Sequence, residues 1–260
     1  MLINIIVNAD DFGYSNKINN ATIDLISKGL ISSTSILANG KSLKQGLKLL
    51  QKYENISTGI HLNLSEGTPV NENSMLNLNM LIDGNSCFNR KNLSNLSLIN
   101  TLSVYREWCA QIDKLLDLGV TISHIDSHHH VHTLPKVFIA LKMIQYKYKI
   151  NSIRSMRNTP NTHLRGYPYS SFVTFKKLIW KTVLIYLPPM ARSTYLFGSI
   201  KDIIENNINF NSVVGCNAIE MSIHPGHNDN LNFKLECDFL LKEGLAKDTY
   251  NLISYNQLEK

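Results

Sequence analysis

A chain of 260 residues, 43% hydrophobic and 18% charged, is long enough for one large α/β domain and for a core that needs no staples. Its formal net charge is +6, with scattered basic residues and no run of five like charges, so a solvated basic surface is expected and no nucleic-acid footprint. Four widely spaced cysteines (Cys87, Cys109, Cys216, Cys237) form no CxxC pair, which predicts reduced thiols and a cytoplasmic setting.

The start, MLINIIVNADD, has no basic n-region and no small-residue cleavage site; it reads as a buried strand over 3–10, not a signal peptide. Ser15 then caps a helical pattern that stops at Gly29. A second strand is predicted over 32–39, a helix over 41–53 and a third strand over 57–64. The polar, Asn-rich stretch near 63–95, with SEGTP and DGN turn signals, reads as an insertion or long functional loop. A helix over 99–118 ends at Gly119, followed by a strand over 121–128, a helix over 135–147 and a fifth strand over 151–157.

A variable segment near 158–193 contains the apolar run Leu178 to Met190. That run is too short for a transmembrane span and is broken by Lys181 and two prolines, so it reads as a barrel helix or a dimer face. The strand STYLFGS, a helix near 200–209, a strand over 218–225, a helix over 232–246 and a strand over 251–255 complete the pattern. Strands alternating with helices at this spacing predict one α/β domain over 1–260, a distorted (β/α) barrel of seven or eight parallel strands. An open doubly wound sheet is the alternative.

The chemistry-bearing residues collect at predicted strand ends. NADDFG puts Asp10 and Asp11 at the end of the first strand, and His61 lies near the end of the third. SHIDSHHHVH, Ser123 to His132, packs five of the nine histidines and Asp126 into ten residues. Arg154 and Arg157 end the fifth strand, and His224 ends the strand before the last helix. In a parallel barrel these ends share one face. A carboxylate with two imidazoles and open positions is a common catalytic divalent-metal arrangement, in which the ion acidifies water and polarises a carbonyl. One aspartate then binds the ion while its neighbour takes a proton, their side chains alternating as on a strand. His224 protonates a leaving group, and Asp126 and the spare histidines fix imidazole tautomers.

NADDFG, GIHLNLSEGTP, HIDSHHHVHTLP, RSMR and the late HPG resemble, in order, the YdjC-like carbohydrate deacetylases, which include chitooligosaccharide deacetylases and hopanoid-associated proteins. The resemblance implies a distorted barrel and one divalent ion, Mg2+ or Zn2+, held by Asp11, His61 and His128. It implies Asp10 as general base, His224 as general acid, and Arg154 and Arg157 as arginines that orient Asp10 or contact sugar. The implied reaction removes the acetyl group from an N-acetylated amino sugar or oligosaccharide, releasing acetate. His132, four residues after His128, stays the reserve ligand. A metal-dependent phosphoesterase on the same barrel, usually with two ions, is the competing reading. The expected partner is an N-acetylated carbohydrate, and a homodimer is the expected assembly.

Overall fold

A computed structural model describes residues 2–155, 171–200, 218–227, 229–242 and 250–258. Seven strands appear among them: β1 (Ile3–Phe12), β2 (Ser33–Ile36), β3 (Ser57–Leu62), β4 (Ile122–Ser127), β5 (Leu196–Ser199), β6 (Ile219–Ile223) and β7 (Tyr250–Leu252). All the ladders are parallel, in the order β4-β3-β2-β1-β6-β5, with β7 pairing the start of β1. Two isolated parallel bridges continue the curl. Ile125 on β4 pairs Ile153, and Ser152 pairs Arg192, four residues before β5. The pairings thus wrap the sheet into the distorted barrel that the alternation predicts.

Helices lie between the strands: α1 (Asn16–Ser27), α2 (Leu43–Leu50), the short α3 (Ser74–Asn77), α4 (Thr101–Asp117), α5 (Phe138–Tyr148), α6 (Ser171–Tyr186) and α7 (Leu231–Lys242). Ser15 caps α1 by accepting from the Ile18 N–H at 3.3 Å. Ile18, Thr22, Leu25 and Ile26 repeat at helical spacing and are buried. Gly29 follows in a left-handed turn (φ +67) that releases the chain toward β2. The core is mostly aliphatic: Ile5, Val7, Ile36, Ile60, Leu62, Ile125 and Ile219 from the strands meet Trp108, Ile112 and Leu115 of α4.

Of the fifth predicted strand, Ser152 and Ile153 form parallel bridges, the Arg154 N–H donates to the Ile125 carbonyl at 2.9 Å, and residues 156–157 lie outside the described residues. Arg157, the helix near 200–209 and Cys216 lie outside the described residues. In the 63–95 stretch the chain forms α3, two 3-10 turns (Asn79–Leu81 and Arg90–Asn95) and an antiparallel bridge, Ile82 to Phe88. It is tied to α4 by a buried carboxylate: Glu107 accepts from the Val70 N–H, the Asn71 N–H and the Ser74 hydroxyl at 2.9, 3.0 and 2.7 Å. On α6, Leu184 and Ile185 pack inward, while Phe175, Leu178 and Ile179 face out. No helix among the described residues is long and apolar enough to cross a membrane.

One close approach bears directly on the site. A Cβ on Gly59 of β3 would fall 2.3 Å from two atoms of the His124 ring, which is stacked on Tyr255 with centroids 3.7 Å apart. Gly59→Ala is therefore expected to cost about 1–3 kcal/mol. Urea denaturation followed by circular dichroism measures it, and an unchanged midpoint would show that the ring has room to move.

Candidate active site

The carboxyl ends of β1, β3, β4 and β6 open on one cavity of about 470 Å³. Its lining includes Asp10, Asp11, His61, His128 and His224, which sequence reasoning selected, and Tyr14, Glu66 and His227, which it did not.

The adjacent aspartates reach the same mouth for a reason that strand alternation misses. The β1–β2 register shifts between Ala9 and Phe12, and Asp11 takes a left-handed conformation (φ 65). This bulge turns the Asp11 carboxylate to the side already occupied by Asp10. Asp11 Oδ1 then lies 2.8 Å from His128 Nδ1 and 3.3 Å from His61 Nε2. His227 Nε2 lies 3.1 Å from Asp11 Oδ2.

Burial alone would raise the Asp11 carboxyl, but His128, His227 and His61 hold it well below the usual carboxylate range. Burial would likewise lower both imidazoles. The Asp126 charge and the Asp11 bond lift His61 to about 10, and Asp11 and Glu66 lift His128 to about 9.

Beneath it lies a buried charge network. Arg154, fully buried, donates from Nη1 and Nη2 to the two oxygens of Asp10 at 2.8 and 2.7 Å. Its Nη1 is also 2.8 Å from Asp126 Oδ2, and its Nε donates to Glu220 Oε1 at 2.7 Å. Asp126 binds His61 Nδ1 at 2.7 Å and accepts from the Ser35 hydroxyl at 2.6 Å. The Tyr255 hydroxyl donates to Glu220. Burial pushes Glu220 up to about 7, whereas at Asp126 the Arg154 and His61 charges overcome burial and hold the carboxyl far down.

His224 stands across the cavity, its Nε2 3.8 Å from Asp10 Oδ2. Glu236 of α7 lies 3.2 Å from His224 Nδ1 and accepts from its backbone N–H at 3.2 Å. The Phe233 ring stacks on the imidazole at 4.0 Å. Burial opposes the charged form, but Glu236 and then Asp10 raise the His224 pKa.

His132 does not join the cluster. It is buried with Nδ1 2.6 Å from the Ser127 hydroxyl and Nε2 3.2 Å from the Arg154 carbonyl, and burial pushes it down to about 4.

The residues present fit a divalent cation. Asp11, His61 and His128 offer one oxygen and two nitrogens within 4.8 Å of one another, all three residues buried. Asp11 Oδ1 lies 3.3 Å from His61 Nε2, the edge of a tetrahedron with bonds of about 2.0 Å, and 2.8 Å from His128 Nδ1, a hydrogen-bond distance that a shared ion would lengthen. Each imidazole is backed on its far nitrogen by a carboxylate, Asp126 or Glu66, as metal-binding histidines commonly are. Glu66, His128 and His129 form a second such group that shares His128, and Asp10, His61 and Asp126 a third that shares His61.

Fold and mouth together define a parallel α/β barrel with a candidate cation centre at its strand ends. The pattern that defines YdjC-like proteins matches residues 4–250, and the chain belongs to that family. A carbohydrate deacetylase of Halalkalibacterium halodurans is 36% identical over 160 residues, 60% of this chain and 66% of that protein. The chain thus spans just under two thirds of that relative. A carbohydrate deacetylase of Clostridium beijerinckii is 26% identical over 87% of this chain and 82% of its own. A crystal structure from Enterococcus faecalis, named for cellobiose-phosphate cleavage, superposes with a TM-score of 0.74 at 20% identity across the whole of both chains, which shows the shared fold.

Proposed function

We propose that this protein is a metal-dependent hydrolase that removes the acetyl group from an N-acetylated amino sugar or oligosaccharide. The observation that carries the reading is the convergence of Asp11, His61 and His128 beside a facing carboxylate–imidazole pair, Asp10 and His224. The carbohydrate deacetylases among its relatives supply the substrate class.

In this reading Asp11, His61 and His128 hold one divalent ion, Zn2+ or Mg2+, and the two nitrogen donors favour zinc. When bound, such an ion acidifies water and polarises the acetyl carbonyl. Asp10 takes the proton of the attacking water, and the Arg154 fork holds both of its oxygens in place. Glu236 engages Nδ1 of His224 and leaves Nε2 facing the cavity, where it delivers a proton to the departing amine. Asp126 fixes His61, and Arg157 serves the sugar or Asp10. One domain over 1–260 carries the site, with 63–95 walling the mouth and 158–193 varying with the substrate. The three described cysteines are free thiols, which suits a cytoplasmic protein, and a homodimer is the assembly that light scattering checks.

The test is an acetate-release screen over N-acetylated mono- and oligosaccharides, with and without chelator. Release that chelation abolishes and zinc restores is the expected outcome; chelator-resistant release would overturn the metal role. Elemental analysis should count one ion per chain, whereas two ions about 3.5–4 Å apart would favour phosphoester chemistry.

A further inference from the structure

His61 and His128 turn opposite ring nitrogens toward Asp11. His61 presents Nε2 and His128 presents Nδ1. The far nitrogen of His61 meets Asp126, deep in the buried network. The far nitrogen of His128 meets Glu66 Oε2 at 2.9 Å, and Glu66 stands at the rim with its side chain 43% exposed.

A rim carboxylate is ordinarily free to swing, but this one is braced on every side. The Tyr14 hydroxyl donates to Glu66 Oε1 at 2.6 Å. The Asn39 and Asn63 side-chain amides donate to the Glu66 carbonyl at 2.9 and 2.7 Å, and the Glu66 N–H donates to Asn63 Oδ1 at 3.2 Å. Asn63 is itself bonded to Gln111 of α4 through its N–H and its carbonyl. The backbone at Glu66 is thus anchored to the barrel, and its carboxylate is aimed at His128.

An imidazole whose Nε2–H is held by a carboxylate keeps its lone pair on Nδ1. We propose that Glu66, braced by Tyr14, is the positioning residue that fixes the ring orientation and tautomer of His128, so that Nδ1 is the atom offered to the cation. The inference rests on the metal-dependent reading above and extends it to the segment after β3. It also opposes the other grouping, in which Glu66, His128 and His129 form a separate cation site.

Zinc-loaded protein with 15N-labelled histidine tests it. The expected wild-type spectrum shows His128 protonated at Nε2 and ligated at Nδ1. Glu66→Ala should weaken zinc binding about 10- to 100-fold by calorimetry and erase the single-tautomer signature, with little change in the thermal midpoint. Tyr14→Phe should give a smaller loss of about 3- to 10-fold, because the carboxylate stays and only its brace goes. Zinc affinity within twofold of wild type in Glu66→Ala, or wild-type His128 ligated through Nε2, overturns the proposal. The cation-free protein gives an independent readout: a slowly exchanging His128 Nε2–H that vanishes in Glu66→Ala. If the wild type takes up no cation, the metal-dependent function fails while that signal still judges the role of Glu66.

Discussion

Asp10→Asn is expected to cut acetate release by about 100- to 10,000-fold, the range over which a positioned general base contributes, while cation uptake stays near wild type. Asparagine keeps the shape and one acceptor oxygen, but its amide NH2 sets a donor against one prong of the Arg154 fork, which lowers the thermal midpoint, and an amide takes no proton at neutral pH. Asp11 does not substitute for it, because its Oδ1 is already engaged by His128 and close to His61. Acetate release and zinc affinity, measured on the same preparation, separate the roles of the two aspartates. Unchanged turnover removes Asp10 as the base. Loss of the cation together with turnover makes Asp10 a ligand and reverses the division of labour.

Much of this site is legible in the sequence because strand ends in βα units share a face. Locating the apolar runs before Asp10, His61 and His128 was therefore enough to locate the mouth. What was not legible depends on tertiary partners. Regular alternation sends adjacent aspartates to opposite faces; only the bulge at Asp11 brings them together. Glu66 sits in SEGTP, where a carboxylate is indistinguishable from a solvated turn residue. Glu236 reads as the polar face of a helix, yet it is buried and engages His224. His132 shows the converse: its spacing from His128 suggests a ligand, but Ser127 and the Arg154 carbonyl claim both of its nitrogens. Glu220 did carry a signal. A lone carboxylate in the apolar strand IEMSI requires a buried cation or donor, and the structure supplies both, Arg154 and Tyr255.

That network makes Arg154→Met the most destabilising of the substitutions considered. The guanidinium is buried against Asp10, Asp126 and Glu220, with the Phe197 ring 4.7 Å from its Cζ. Methionine fills much of the volume but leaves three buried carboxylates without their shared cation. Breaking a buried ion pair from one side costs about 3–5 kcal/mol, a fall in melting temperature on the order of 10 °C for a chain of this size.

The pH dependence gives the sharper test, because it separates the charge of Arg154 from its packing. In the wild type the Asp126 carboxyl is held far below its ordinary value, so its contribution is present above the unfolded pKa and lost as pH falls through the folded one. In Arg154→Met, Glu220, which burial already raises to about 7, loses the Arg154 charge that opposes that rise and moves further above its unfolded value, while His61 still holds Asp126 down. The Glu220 contribution is then greatest at low pH and lost as pH rises. Between pH 8 and 6 the variant should recover part of its lost stability relative to wild type, read as the difference in urea midpoints. A deficit that stays constant over that range would mean that packing around Arg154, rather than its charge, holds the floor of the site together. Arg154→Lys should fall between the two, since an ammonium keeps the charge but lacks the planar fork that engages Asp10 with two nitrogens.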